Sequence, residues 1–162
     1  MSKVWVCADL HLGHKNITKF RAQFTTAEEH HETVMENFLT TVGKRDKVFL
    51  LGDIVFKEGI EYAAKLGSLG ANLILVKGNH DAYDLWADSV QGLMSYKGAW
   101  LSHAPVHPQE LDYRKQGFNI HGHLHGGFIN DPRYFNVSLE HTNYRPILMT
   151  DVLEQLLERN ND

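Results

Sequence analysis

One cysteine in 162 residues excludes an internal disulfide. Its place in the apolar run Val4-Trp5-Val6-Cys7-Ala8 reads as a buried small hydrophobe in a reducing compartment. The chain has no run of Lys or Arg and a formal net charge of −4, so it lacks the basic footprint of a protein that tracks long nucleic acid. That excludes a processive nuclease more readily than an enzyme of small nucleotides. No apolar stretch is long enough to cross a bilayer, and Met1-Ser2-Lys3-Val4-Trp5 enters a strand pattern at once, leaving no room for a signal peptide. A cytoplasmic protein without a membrane partner is expected. No repeat, low-complexity tract or Pro/Gly/Ser-rich linker marks a boundary. Residues 1–162 therefore read as one domain, long enough to bury a core without disulfides or a structural zinc.

Short runs rich in Val, Ile, Leu, Phe and Trp predict strands over 4–8, 47–51, 72–76, 98–102, 117–120 and 134–139. Between the first two, Thr26-Ala27-Glu28-Glu29 offers a capping box. Val34, Met35, Phe38, Leu39 and Val42 then follow at helical spacing until Gly43. A second helix is predicted over 59–69. A terminal amphipathic helix is predicted over 150–159, with a stripe through Val152, Leu153, Leu156 and Leu157. Strand and helix alternate in the first half, which favours parallel pairing; the second half, 98–148, is mostly strands and turns, which favours antiparallel pairing. Mixed sheets with helices outside satisfy both.

Five clusters carry the chemistry: Asp9-Leu10-His11, Gly52-Asp53, Gly78-Asn79-His80-Asp81, His103, and Gly122-His123-Leu124-His125. Taken singly, the first four have an ordinary explanation as a strand end, a turn or a helix cap, whereas Gly122-His123-Leu124-His125 already favours metal because two imidazoles converge. Taken together, they supply oxygen and imidazole ligands enough for two divalent ions. Asp9, Asp53, Asn79 and His103 each follow an apolar strand pattern, at the edge where open α/β sheets collect functional groups. In Asp9-Leu10-His11 and in His123-Leu124-His125 the polar residues stand at i and i+2, so in extended backbone both leave the same side. The glycines at 52, 78 and 122 precede ligand candidates, where a positive φ or a close backbone approach is expected.

In this order the clusters resemble the calcineurin-like metallophosphoesterase superfamily, whose signature runs D-x-H, G-D, G-N-H-[DE], H, G-H-x-H. The likeness spans Asp9 to His125, and the segment GHKNI at 13–17 is similar to compact bacterial and phage members. The resemblance implies that Asp9, His11 and His125 hold one metal, that Asn79, His103 and His123 hold the other, and that Asp53 bridges them. His80 would stand beside the ions without binding them. The implied architecture is a four-layer α-β-β-α sandwich of two mixed β-sheets flanked by helices.

Two such ions about 3.5–4 Å apart share a bridging water, lower its pKa and aim a hydroxide at phosphorus. His80 is the expected acid for the leaving oxygen, with Asp81 orienting its ring or raising its pKa. The function expected is a phosphoesterase, read as a phosphodiesterase of small nucleotide-type substrates, with Mn as the ion and Fe, Zn, Ni or Co as alternatives. Phosphomonoester or protein phosphatase activity stays open, and so does a non-catalytic metal-binding module of the same fold. His position 80 separates the chain from lipid-precursor pyrophosphatases of the superfamily, which carry another residue there. His14, Lys15 and Arg21 are candidates to hold substrate phosphate, and His121 or His14 to support a ligand from behind. His30, His31, His107 and His141 are expected at the surface. Asn136, Glu140, Asn143 and Arg145 lie beyond the last motif. No cap domain is evident, so an open pocket shaped by short loops is expected.

Overall fold

The computed structural model describes residues 1–82, 84–112 and 117–161. Nine strands and four helices alternate along these residues: β1 (Val4–Cys7), α1 (Ala27–Thr41), β2 (Lys47–Leu50), α2 (Ile60–Gly67), β3 (Asn72–Val76), β4 (Ser89–Gln91), β5 (Met94–Tyr96), β6 (Ala99–Ser102), α3 (Gln109–Asp112), β7 (Phe118–His121), β8 (Tyr134–Asn136), β9 (Ile147–Leu148) and α4 (Met149–Asn161). They form two mixed sheets. One has the order β4-β3-β2-β1-β9, parallel except for β9; the other has the order β5-β6-β7-β8, parallel except for β5.

Both faces of the first sheet are covered, which is why its strands read as continuous apolar runs. Alternation along β1 and β2 sends Cys7, Val48 and Leu50 toward Val34, Met35 and Phe38 of α1 and Tyr62, Ala63 and Leu66 of α2. Val6, Phe49 and Val76 point the other way, toward Leu101, Ile120 and Phe135 of the second sheet and Val152 and Leu156 of α4. The sandwich with outer helices expected from the sequence is the fold observed.

α1 starts at its capping box. The Thr26 hydroxyl accepts the Glu29 N–H at 3.1 Å, and Glu29 accepts the Thr25 N–H at 2.7 Å. The buried stripe of α1 begins one turn earlier than the apolar letters indicate, at His30 and His31, both buried. This corrects their expected place at the surface. Leu39, counted in the stripe, is 41% exposed.

The second half also departs from expectation. β6, β7 and β8 run parallel, not antiparallel, because the connections 103–117 and 122–133 are long enough to carry the chain back to the starting edge. The strand expected over 134–139 stops at Asn136. Val137 and Ser138 leave the second sheet to meet the first: Val137 N–H donates to His121 O at 2.8 Å, Ala8 N–H donates to Val137 O at 3.1 Å, and Ala8 bridges Ser138. β4, β5 and β9 are too short or too polar to have shown in the pattern. No helix among the described residues is long and apolar enough to cross a membrane.

Candidate metal centre

Registry brings the ends of the strands level. Cys7 pairs with Leu50 and Leu50 with Leu75, while Ser102 pairs with His121, so the loops that follow open on one rim. The chain turns there in unfavourable backbone. Asp9, His11, Asp53, His123 and His125 have φ of 59°, 51°, 53°, 70° and 49°, in the left-handed region that non-glycine residues enter at a cost of about 1–2 kcal/mol each. They are five of the eight such residues described, and all five are ligand candidates, which is how strain distributes at functional sites. Two of the preceding glycines are required sterically. A Cβ on Gly52 (φ 80°) would come within 2.4 Å of the His103 ring, and one on Gly122 within 2.5 Å of the Asp9 carboxylate.

The side chains converge in two groups. Ligand atoms of Asp9, His11 and His125 lie within 4.8 Å of one another, and so do those of Asp53, His103 and His123. Asp53 Oδ2 stands between the groups, 3.4 Å from His103 Nε2 and 3.8 Å from His11 Nε2. Asn79 Oδ1 joins the second group 3.1 Å from His103 Nε2, and His123 Nδ1 approaches the same atom at 3.1 Å. All seven candidate ligands are thus assembled, with one carboxylate common to both halves.

The donor set fits divalent ions on its own evidence. Asp9 Oδ1 and His11 Nε2 are buried 3.6 Å apart and neither has a hydrogen-bond partner, an arrangement that a cation resolves. The His103 Nδ1–H donates to Leu51 O at 2.9 Å, leaving the Nε2 lone pair turned to the site. Burial works against both carboxylates, yet both stay easily ionised. The neighbouring His11 imidazole and a hydrogen bond from the Ser138 hydroxyl hold Asp9 below its ordinary range, and the neighbouring His103 imidazole and a hydrogen bond from the His80 amide bring Asp53 to about 2. Burial lowers His11, whereas His103 is raised against its own burial by Asp53.

One ligand is braced from behind. His125 Nδ1 faces Glu140 Oε1 at 3.1 Å, which directs Nε2 to Asp9 and raises the ring's pKa. Glu140, opposed by burial, is held at about 2 by His125 and Arg21. Sequence reading left Glu140 among residues beyond the last motif. Nothing local marks it, since its partner Arg21 is 119 residues away.

Arg21 does not reach substrate. It is buried, donating from Nε to Glu140 at 2.8 Å, from one terminal nitrogen to His30 Nε2 at 2.7 Å and from the other to Asp9 O at 2.7 Å. This corrects its expected role as a phosphate clamp. Lys15 is exposed on a separate groove with Glu58 and Tyr62, so it too stands away from the centre. Asp81 is buried, and its oxygens accept the N–H groups of Gly78 (2.7 Å), Asp53 (2.9 Å) and Ile54 (2.8 Å). It ties two ligand loops together instead of orienting the His80 ring. His121 Nδ1 donates to Gly122 O at 2.8 Å, and its ring meets Tyr134 edge-on.

His80 and His14 do face the site. Both line a cleft of about 610 Å³ together with His11, His125, Phe56, Phe20, Ile17, Gly126 and Glu140. His80 donates its backbone N–H to Asp53 Oδ1 at 2.9 Å while its ring is exposed and stacks on Phe56 at 4.8 Å. Residues 2–161 match the sequence profile of the calcineurin-like phosphoesterase family. The chain belongs to that family. As a calcineurin-like phosphoesterase it is a metal-dependent phosphoesterase, and its two triads fit a pair of divalent ions. Over 98% of its length it is 30% identical to the uncharacterized protein MJ1445 of Methanocaldococcus jannaschii, of which it covers 93%. Half of the chain is 36% identical to the gene 66 protein of Mycobacterium phage L5, covering 41% of that protein. The crystal structure of the protein of unknown function AQ665 from Aquifex aeolicus shares the fold, with a TM-score of 0.69 and 23% identity over 95% of this chain and 99% of that one.

Proposed function

We propose that this phosphoesterase hydrolyses phosphodiesters of small, nucleotide-type molecules, with Mn as its working ion, in the cytoplasm. The observation that carries the diester reading is the charge of the cleft. No Lys or Arg side chain is among its described lining residues, and Arg21, the nearest guanidinium in sequence, is committed to three buried partners. A monoester dianion asks for a further cationic clamp, whereas the singly charged diester does not.

Asp9, His11 and His125 would hold one ion and Asn79, His103 and His123 the other, with Asp53 common to both. Such ions supply a water that is nucleophilic near neutral pH and positive charge for the phosphoryl oxygens. Glu140 keeps His125 presenting Nε2. Asp81 fixes the backbone of Asp53 against that of Gly78, so that ligands from two strands hold their spacing. The exposed ring of His80, stacked on Phe56 and anchored through its amide to Asp53, gives a proton to the leaving oxygen. The carboxylate and carboxamide oxygens of the set suit Mn, while its four imidazoles also admit Fe, Zn, Ni or Co.

The test is hydrolysis of bis(p-nitrophenyl) phosphate and p-nitrophenyl phosphate by metal-stripped protein, with and without Mn²⁺, using Asp53→Asn as the blank. Metal-dependent diester cleavage that disappears in the mutant is expected. Preference for the monoester would move the protein to the phosphatases, and stoichiometric ion binding without turnover would make it a binding module.

A further inference from the structure

Beyond the ligands, the cleft contains a row of rings that phosphate chemistry alone does not explain. His80 stacks on Phe56 (4.8 Å, 16°), Phe56 on His14 (4.7 Å, 6°) and His14 on Phe20 (5.9 Å, 28°). The row begins beside the bridging carboxylate and ends in the open, where the Phe20 ring is 73% exposed. Exposing a large apolar ring is unfavourable, and a loose loop would fold it away. This loop is not loose. Phe20 follows a single 3₁₀ turn, Ile17–Lys19, whose Ile17 is wholly buried, and it precedes Arg21, which three hydrogen bonds pin beneath the site. The ring is held outward by its neighbours on both sides.

We propose that Phe20 is a stacking platform for the base of a nucleotide substrate. The inference rests on the phosphodiesterase reading and adds the substrate class. His14 lies 5.5 Å from the His11 ring and Phe20 5.9 Å from His14. Phe20 therefore stands two rings out from His11, on the open side of the cleft. The roughly parallel planes continue naturally with one more flat ring, and base–aromatic stacking tolerates any base.

The experiment compares thymidine 5′-(p-nitrophenyl phosphate) with methyl p-nitrophenyl phosphate, which share a leaving group and differ in the base, in Mn²⁺-loaded wild type, Phe20→Ala and Phe20→Trp. Calorimetric binding of thymidine 5′-phosphate against methyl phosphate is measured alongside. The wild type is expected to prefer the nucleoside ester. Phe20→Ala should shrink that kcat/KM preference about 5- to 100-fold, mostly through KM, and Phe20→Trp should restore it. Because the ring is exposed, neither substitution should disturb the fold. Cleavage of both esters with no preference, or a preference that survives in Phe20→Ala, overturns the platform and leaves the diesterase reading intact. Cleavage of neither ester, with the binding preference for thymidine 5′-phosphate present and lost in Phe20→Ala, overturns the diesterase reading and supports the platform. Absence of both turnover and preference overturns both.

Discussion

Replacing Glu140 should separate the two ion sites. Glu140 touches only the Asp9, His11 and His125 half, through a 3.1 Å contact to His125 Nδ1, and it neutralises the Arg21 guanidinium at 2.8 Å. The Arg21 side chain is 0% and that of Glu140 19% exposed, so the pair behaves as a buried one and not as a surface salt bridge. Glu140→Ala leaves a buried cation with two neutral acceptors, a loss of about 3–5 kcal/mol. Glu140→Gln keeps the shape and an acceptor and gives up the charge, a loss of about 1–2 kcal/mol, since charge-assisted bonds are about twice as strong as neutral ones. In Glu140→Ala His125 loses the partner that fixes its tautomer, which lowers affinity at that site about 10- to 100-fold, whereas Glu140→Gln keeps an acceptor for the ring and weakens the site less. Mn²⁺ titration by calorimetry, with urea unfolding in parallel, reads both quantities. The isotherm should resolve into one site near the wild-type affinity and one clearly weaker. If the two sites weaken together, or neither does, the assignment of Glu140 to one half is wrong.

His30 and His31 predict an acid limit to stability. Burial, with Arg21 opposing a second charge, takes His30 down to about 2, and burial takes His31 to about 4. Both folded values lie below the ordinary 6.5, so the unfolded chain takes up these protons first as pH falls. Their stabilisation is therefore complete above 6.5 and drains below it, by up to about 1.4 kcal/mol per group per pH unit. Urea titrations between pH 7.5 and 5 should show this slope, and His31→Asn should flatten it; equal slopes would refute the assignment. His80→Ala should retain both ions and lose rate chiefly on esters with poor leaving groups, measured across a series of substituted phenyl esters, and equal loss throughout would argue against His80 as the acid. Asp81→Ala orphans at least three buried N–H groups. It should destabilise the protein by about 3 kcal/mol or more and weaken Mn²⁺ at the Asp53, His103 and His123 group, read by unfolding and calorimetry respectively; wild-type affinity there would show that the loops do not need this tie.

The ligands were legible because each lies within four residues of a strand end, where local pattern and position coincide. Their supports were not. Arg21 reads as an ordinary loop cation and Glu140 as an ordinary loop acid, and only a contact spanning 119 residues makes them a pair. Imidazole is polar enough to suggest a surface place for His30 and His31, yet their spacing continues the stripe of Val34, Met35 and Phe38 by one turn. Asp81 follows His80 directly, which suggested a partnership of side chains; its oxygens are instead filled by backbone amides of the loop that carries Asp53. Pairing direction in the second half depended on how far each connection travels, and that is absent from strand patterns. β4 and β5 are three residues each and β9 two, below the length at which alternation can be recognised.

The seam at Val137 has a mechanical consequence. Each group of ligands draws from both sheets: Asp9 and His11 follow β1 while His125 follows β7, and Asp53 follows β2 while His103 and His123 follow β6 and β7. Shear of one sheet over the other would therefore distort both halves of the centre at once. Val137 resists it, accepting the Ala8 N–H on one side and donating to His121 O on the other, one position before Asp9 and two before His123, and the bonds from His103 to Leu51 O and from the His123 N–H to Asp9 add to it. The two layers are joined where a slip would do the most damage, so the spacing of the two ligand groups is held against it.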